Sequence, residues 1–324
     1  MGMEDTLRRF GEQFDWQPEV EHGEALQPYA HYVVCGMGGS HLGAWLIKRY
    51  GGVSNITIHR DYGLPTIAQE QLRNTLVILS SYSGGTEEVL DSGRIALERG
   101  LPLAALTMGG KLADFAREHS LPLAVIPSTG LESRMAVGFS MLAIARLMGN
   151  TALEEEIRTA GKRVDPAAGK LEGVRLAGVL TGKIPLVYSS AANVPIPYIW
   201  KIKFNETAKI PSFCNVFPEM CHNELSGFDV ADSTRDISAR LHAVFLQDFS
   251  DHPRVAERMR VAGEILVEKG IPVERVPLAG KTGMEKAFNA ALLADWITLT
   301  LAETYGVPNP EVPLVLEFKR RMSQ

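Results

Sequence analysis

Short apolar runs recur along the first half of the chain, each followed by residues with helical spacing. Tyr32-Val-Val-Cys35 and Leu76-Val-Ile-Leu79 are rich in the residue types that fill a strand buried on both faces. The pattern predicts strands over residues 31–36, 55–58, 75–80, 103–107 and 123–126. Helices are expected between them at 40–50, 86–99 and 111–117, with a long apolar helix after Ser133. Five strands with intervening helices describe one doubly wound parallel α/β domain, assigned to residues 1–150.

A polar helical stretch from Thr151 to Val164, rich in Glu and Arg, leads into a second half with the same alternation. Its strand-like runs are 184–189, 213–217, 242–246 and 271–276, separated by helix-like segments at 196–209, 252–269 and 283–305. Residues 151–324 are therefore expected to form a second domain of the same α/β class. Tyr188-Ser-Ser-Ala-Ala-Asn193 takes the place in this half that Cys35-Gly-Met-Gly-Gly-Ser40 takes in the first.

Composition narrows the partners. A length of 324 residues fits about two domains, and 45% hydrophobic with 22% charged residues is an ordinary globular balance. The net charge of −5 provides no general attraction for nucleic acid or an anionic membrane, so an anionic substrate must be held by local donors. Cys35, Cys214 and Cys221 are too few and too scattered for a disulfide framework, which points to a reducing compartment, the cytoplasm. Residues 1–15 carry no apolar stretch of signal-peptide length, and no run reaches the roughly 18 apolar residues of a membrane span.

Two stretches carry the clearest chemistry. Gly36-Met-Gly-Gly-Ser40 and Ser80-Ser-Tyr-Ser-Gly-Gly-Thr86 each join a predicted strand to a predicted helix. Such a junction presents hydroxyls and unpaired N–H groups to an anion without a cationic side chain. Neither stretch has the Gly-Lys-Ser/Thr of a P-loop, so Ser40, Ser81, Ser83 and Thr86, with nearby amides, suit a phosphate monoester. Gly36, Gly38 and Gly43 with Asp61 invite a dinucleotide reading, but His41 stands where the third glycine of that fingerprint belongs. A tight strand-to-helix turn at Gly38-Gly39 is the bland alternative.

Other candidates are ambiguous singly. Arg134, at the entrance of the apolar helix, is either a solvated helix-start residue or a fixed cation aimed into a cleft, since helix N-termini disfavour cations. Glu206 has Lys203 and Lys209 three residues to either side, the spacing of an ordinary surface pair. His222 reads first as a structural histidine. Cys214, Cys221 and His222 match no structural zinc spacing, so no metal is expected. Lys319 lies in a basic C-terminal helix end favoured by the helix dipole.

As a set, these motifs resemble the sugar isomerase (SIS) superfamily and, within it, the bifunctional phosphoglucose/phosphomannose isomerases. Gly38-Gly-Ser40, Ser81-Tyr-Ser-Gly-Gly-Thr86, Arg134, Asn205-Glu206, His222-Asn-Glu224 and Phe318-Lys-Arg-Arg321 come in that family's order across nearly the whole chain. The resemblance implies two SIS-type αβα sandwich domains and an aldose-ketose isomerase that interconverts hexose 6-phosphates without a cofactor. It implies that Ser40, Ser81, Ser83 and Thr86, with the Gly39 amide, bind the 6-phosphate. Glu206 would be the base between C1 and C2, and Arg134 would stabilise the enediolate. His222 and Lys319 would open the sugar ring, with His222 supplied across a homodimer interface. A non-catalytic sugar-phosphate sensor on the same fold is the alternative. The chain departs from the family pattern at Gly85, where Asn is usual, and at His41-Leu-Gly-Ala-Trp45. It also offers no Thr or Ser over 306–313, where mannose-phosphate activity is linked to a small hydroxyl residue.

Overall fold

All five apolar runs of the first half become parallel strands of one sheet in a computed structural model that describes residues 3–307 and 312–322. A short β1 (Val20–Glu21) precedes them. The parallel set is β2 (His31–Cys35), β3 (Ile56–His59), β4 (Thr75–Ser80), β5 (Leu103–Thr107) and β6 (Leu123–Val125), in the order β1-β6-β5-β4-β2-β3. The antiparallel β1 was not legible in the sequence: two residues, Val20 and Glu21, are too short for a period-2 signal and are held by pairing with Ala124 and Leu123.

Alternation along the strands splits the core into two faces. Val33, Cys35, Val77, Leu79, Leu103, Ala105 and Leu123 pack with Val89 and Ala96 of helix Glu87–Glu98 and with Leu112, Ala113 and Ala116 of helix Gly110–Glu118. Tyr32 and Val34 alternate with that set, and the Tyr32 hydroxyl reaches the Met148 carbonyl at 3.5 Å, just past helix Val137–Leu147. That helix is buried along almost its whole length, as its apolar composition demands. Glu87 and Glu88 open their helix where the dipole favours acids.

The second sheet is wholly parallel: β7 (Ile184–Ser190), β8 (Phe213–Phe217), β9 (Leu241–Gln247) and β10 (Val273–Pro277), ordered β10-β9-β7-β8. Leu186, Tyr188, Ala243 and Phe245 face Met259, Ala262 and Leu266 of helix Pro253–Glu268. The two sheets are wound alike. In each, the first parallel strand lies between the second and the third, so the chain changes winding direction beside that first strand, β2 or β7.

The chain divides into two compact units between Val164 and Asp165, with residues 3–8 joining the second unit and Thr282–Met284 the first. Helix Thr151–Lys162, expected at the start of the second domain, packs against Val137–Leu147 and therefore belongs with the first. Leu153, Ile157 and Ala160 form the apolar stripe that takes it there, behind a face rich in Glu and Arg.

Candidate active site

The hydroxyl loops follow β2 and β4, the two strands at the winding reversal of the first sheet, where open α/β sheets bind ligands. Gly38–His41 forms a single 3-10 turn that leads into helix Leu42–Tyr50. Ser40 ties the two loops together: its hydroxyl accepts the Tyr82 N–H at 3.0 Å, and its carbonyl accepts the Ser80 hydroxyl at 2.6 Å. Ser81 and Thr86 share a hydroxyl hydrogen bond of 2.8 Å. Ser83 is exposed at the loop tip, and its hydroxyl lies 3.5 Å from the Gly85 nitrogen. Gly84 has φ +70°, and a Cβ there would sit 1.8 Å from the Gly109 carbonyl oxygen, so only glycine permits this path.

A third segment closes the arrangement. A Cβ on Gly39 would lie 2.7 Å from the Ser133 hydroxyl and 2.9 Å from the Arg134 nitrogen, so the first loop lies directly against the backbone of Arg134. The Tyr82 hydroxyl donates to the Leu131 carbonyl at 2.7 Å, and burial, with Glu132 nearby, pushes its pKa up to about 12, which keeps it a neutral donor. The Arg134 side chain is only 1% exposed, with the Glu132 carboxylate 3.7 Å away. A guanidinium this buried is a fixed charge, which removes the solvated helix-start alternative. Gly39, Ser40, Ser81, Ser83, Thr86 and Arg134 thus belong to three touching loops of one unit.

His41 backs the first loop. It is fully buried, its ring lies 5.6 Å from that of Trp45, and the Arg60 guanidinium stands 5.6 Å from the Trp45 ring centre. Burial and the Arg60 charge bring its pKa down to about 4, so the imidazole is neutral at physiological pH. The departure at His41-Leu-Gly-Ala-Trp45 is therefore a packing element beneath Ser40. Cys35, behind it, is pushed up to about 12 by burial and is an inert thiol.

In the second unit, Glu206 is half-buried and is the last residue of helix Pro195–Glu206. The lysines that suggested a surface pair have other bonds. Lys203, 1% exposed in its side chain, pairs with Asp295 of helix Gly283–Tyr305 at 2.6 Å, and Lys209 donates to the Glu206 carbonyl. A carboxylate at a helix C-terminus opposes the dipole by about 0.3–1 kcal/mol, a placement that local stability does not explain. His222 is exposed, between the turn Glu219–Cys221 and the short helix Asn223–Ser226. Lys319 is exposed on helix Pro313–Met322. Residues 308–311, part of the segment without a Thr or Ser, lie outside the described residues.

Several functional neighbours escaped the sequence reading. Tyr82 lies inside the Ser-Tyr-Ser motif and Ser133 beside Arg134, so position was the available signal. Asp295 and Tyr188 gave none, because their partners Lys203 and Glu224 are distant in sequence.

Two parallel sheets wound alike, one carrying hydroxyl-rich loops at its winding reversal, make up the architecture of a sugar isomerase (SIS) protein. Residues 170–322 match the family model described as the bacterial phospho-glucose isomerase C-terminal SIS domain. The chain is 30% identical to the bifunctional phosphoglucose/phosphomannose isomerase of Aquifex aeolicus over 98% of each chain, and 31% identical to that of Caldicellulosiruptor bescii over 84% of each. A hypothetical protein of Thermus thermophilus superposes with a TM-score of 0.68 at 18% identity, covering 99% of this chain and 88% of that one. The chain belongs to the family of bifunctional phosphoglucose/phosphomannose isomerases.

Proposed function

We propose that this protein is an aldose-ketose isomerase that interconverts glucose 6-phosphate and mannose 6-phosphate with fructose 6-phosphate. The observation that carries the reading is the three-loop cradle, which offers hydroxyls and amides to a phosphate beside a buried, fixed arginine. Ser40, Ser81, Ser83, Thr86 and the Gly39 amide hold the 6-phosphate, and binding at that remote group orients the reacting carbons. Glu206 takes the proton from C2 of the open-chain aldose and returns one to C1. Arg134 stabilises the negative oxygen of the cis-enediolate, where charge develops only during reaction. His222 and Lys319 move the protons of ring opening.

A homodimer in which His222 reaches the neighbouring copy's site is part of the same reading. It is supported by the exposure of His222 and by the apolar stripe Leu314, Phe318 and Met322, which lies open on the C-terminal helix at 81%, 63% and 56% exposure. The three thiols are unpaired, in keeping with a cytoplasmic setting. Among the described residues no helix is long and apolar enough to cross a membrane.

The test is incubation of the protein with fructose 6-phosphate, following both aldose phosphates by NMR. Formation of both is expected. Glucose 6-phosphate alone would confine the activity to the glucose epimer, and neither product with the ligand still bound would favour a sensor.

A further inference from the structure

The motif His222-Asn-Glu224 holds a carboxylate for which the isomerase chemistry has no use, yet Glu224 accepts a side-chain hydrogen bond on each of its oxygens. Tyr188 on β7 and Asn215 on β8 are direct register partners on neighbouring parallel strands. Tyr188 donates from its hydroxyl to Glu224 Oε1 at 2.6 Å, and Asn215 donates from its amide nitrogen to Oε2. Each carboxylate oxygen thus meets its own donor, side by side across two strands.

Both donors are fixed independently of Glu224. The Asn215 amide is oriented because its oxygen accepts the Val216 N–H at 2.8 Å, which turns its NH2 toward the carboxylate. Tyr188 is 1% exposed, with its ring edge-on to Phe217 and Phe245 at 6.1 and 5.7 Å. Burial and the bond to Glu224 raise its pKa well above the usual phenol range, so it remains a donor. The clamp therefore roots the four-residue helix Asn223–Ser226 in the sheet. His222 is the residue on which that helix begins, exposed and otherwise carried by a short turn.

We propose that Glu224, clamped by Tyr188 and Asn215, is the positioning residue that holds the His222 backbone in register for ring opening. The inference rests on the ring-opening role read for His222. Opening the pyranose breaks the C1–O5 bond, takes the proton of the C1 hydroxyl and delivers one to O5. A histidine in that transfer must stay within hydrogen-bond reach while its side chain stands in solvent. An exposed loop cannot provide such precision; a carboxylate tied to two strands can.

Ring opening can be read apart from isomerisation, because interconversion of the α and β anomers of glucose 6-phosphate needs the ring to open and close but no proton transfer between C1 and C2. In the full-length Glu206→Gln protein, magnetisation-exchange NMR is expected to show catalysed anomerisation without isomerisation, and adding His222→Ala should remove it. Adding Glu224→Gln instead should lower the anomerisation rate at least about tenfold, because the neutral amide exchanges two charge-assisted bonds for weaker ones and must turn its NH2 toward one of the two donors. Tyr188→Phe, which removes one oxygen only, should lower it less, and Glu224→Gln should leave the affinity for glucose 6-phosphate within about twofold. Anomerisation unchanged by Glu224→Gln while His222→Ala abolishes it would overturn the positioning role alone. Anomerisation that survives His222→Ala would overturn the reading on which the role rests.

Discussion

The carboxylate of Glu206 and the backbone of Gly39 set the most demanding conditions at the scale of single residues. Glu206→Gln keeps the shape of the side chain but cannot accept a proton from carbon, so kcat is expected to fall by at least about 10²-fold. Binding of a hexose 6-phosphate and the urea midpoint should stay near those of the parent, a split that titration calorimetry and denaturation together would check. Gly39→Ala should act through space rather than chemistry. Its methyl would sit 2.7 Å from the Ser133 hydroxyl and 2.9 Å from the Arg134 nitrogen, and the second of these belongs to backbone that cannot swing aside. The loops must separate, so KM for the sugar phosphate should rise about tenfold or more while far-UV circular dichroism is retained. The serines and threonine of the cradle were legible as residue types. That Ser40 is the knot between the two loops was not, because its partners Ser80 and Tyr82 are about forty positions away in sequence.

Among the elements, helix Pro195–Glu206 depends on a bond that no local pattern announces. Lys203 is inside the protein, paired with Asp295 of helix Gly283–Tyr305 at 2.6 Å, both side chains nearly sealed from water. Removing only the cation takes the ion-pair partner from a nearly sealed carboxylate. Lys203→Ala is expected to cost about 3–5 kcal/mol in chemical denaturation, and the double variant Lys203→Met, Asp295→Leu considerably less. The same pair limits what the i, i+3 spacing around Glu206 can say: such spacing describes a solvated surface pair only where both partners meet water, and Lys203 is sealed against another helix. Both helices were predicted within a few residues, because length and apolar periodicity are local properties. The partner of Lys203 is not local.

On the scale of the whole molecule, acid stability follows from groups buried in the wrong charge state or held in one. His41 has a pKa of about 4 in the folded protein against 6.5 when free, so below pH 6.5 the unfolded chain binds a proton that the folded one refuses. Stability should therefore decline as pH falls from 6.5 to 4 and level off below, by on the order of 3 kcal/mol. Asp248 adds a lower window. Burial pushes its pKa up, but hydrogen bonds from Lys286 and Ser250 prevail and hold it near 2, so its contribution is present above the free value of 3.8 and disappears as pH falls through 2. Urea midpoints at pH 7, 5 and 4 would check the upper window and a further one near pH 2 the lower, with His41→Gln expected to flatten the upper slope. Light scattering should return the mass of two chains, and a charged residue at Phe318 should shift it toward one.

What the sequence determined by itself was the run of elements: where strands end on glycine and serine, where helices begin, and that two halves repeat one plan. Periodicity and turn chemistry act over a few residues, so they can be read from the chain in order. The tertiary structure alone decided which of those elements share a unit, as when Leu153, Ile157 and Ala160 drew a Glu-rich helix back into the first. It also decided what surrounds each charge: a sealed Arg134, a neutral His41, a Glu224 held across two strands. Burial and long-range pairing depend on residues brought together from far along the chain, and a one-dimensional pattern carries no record of that neighbourhood.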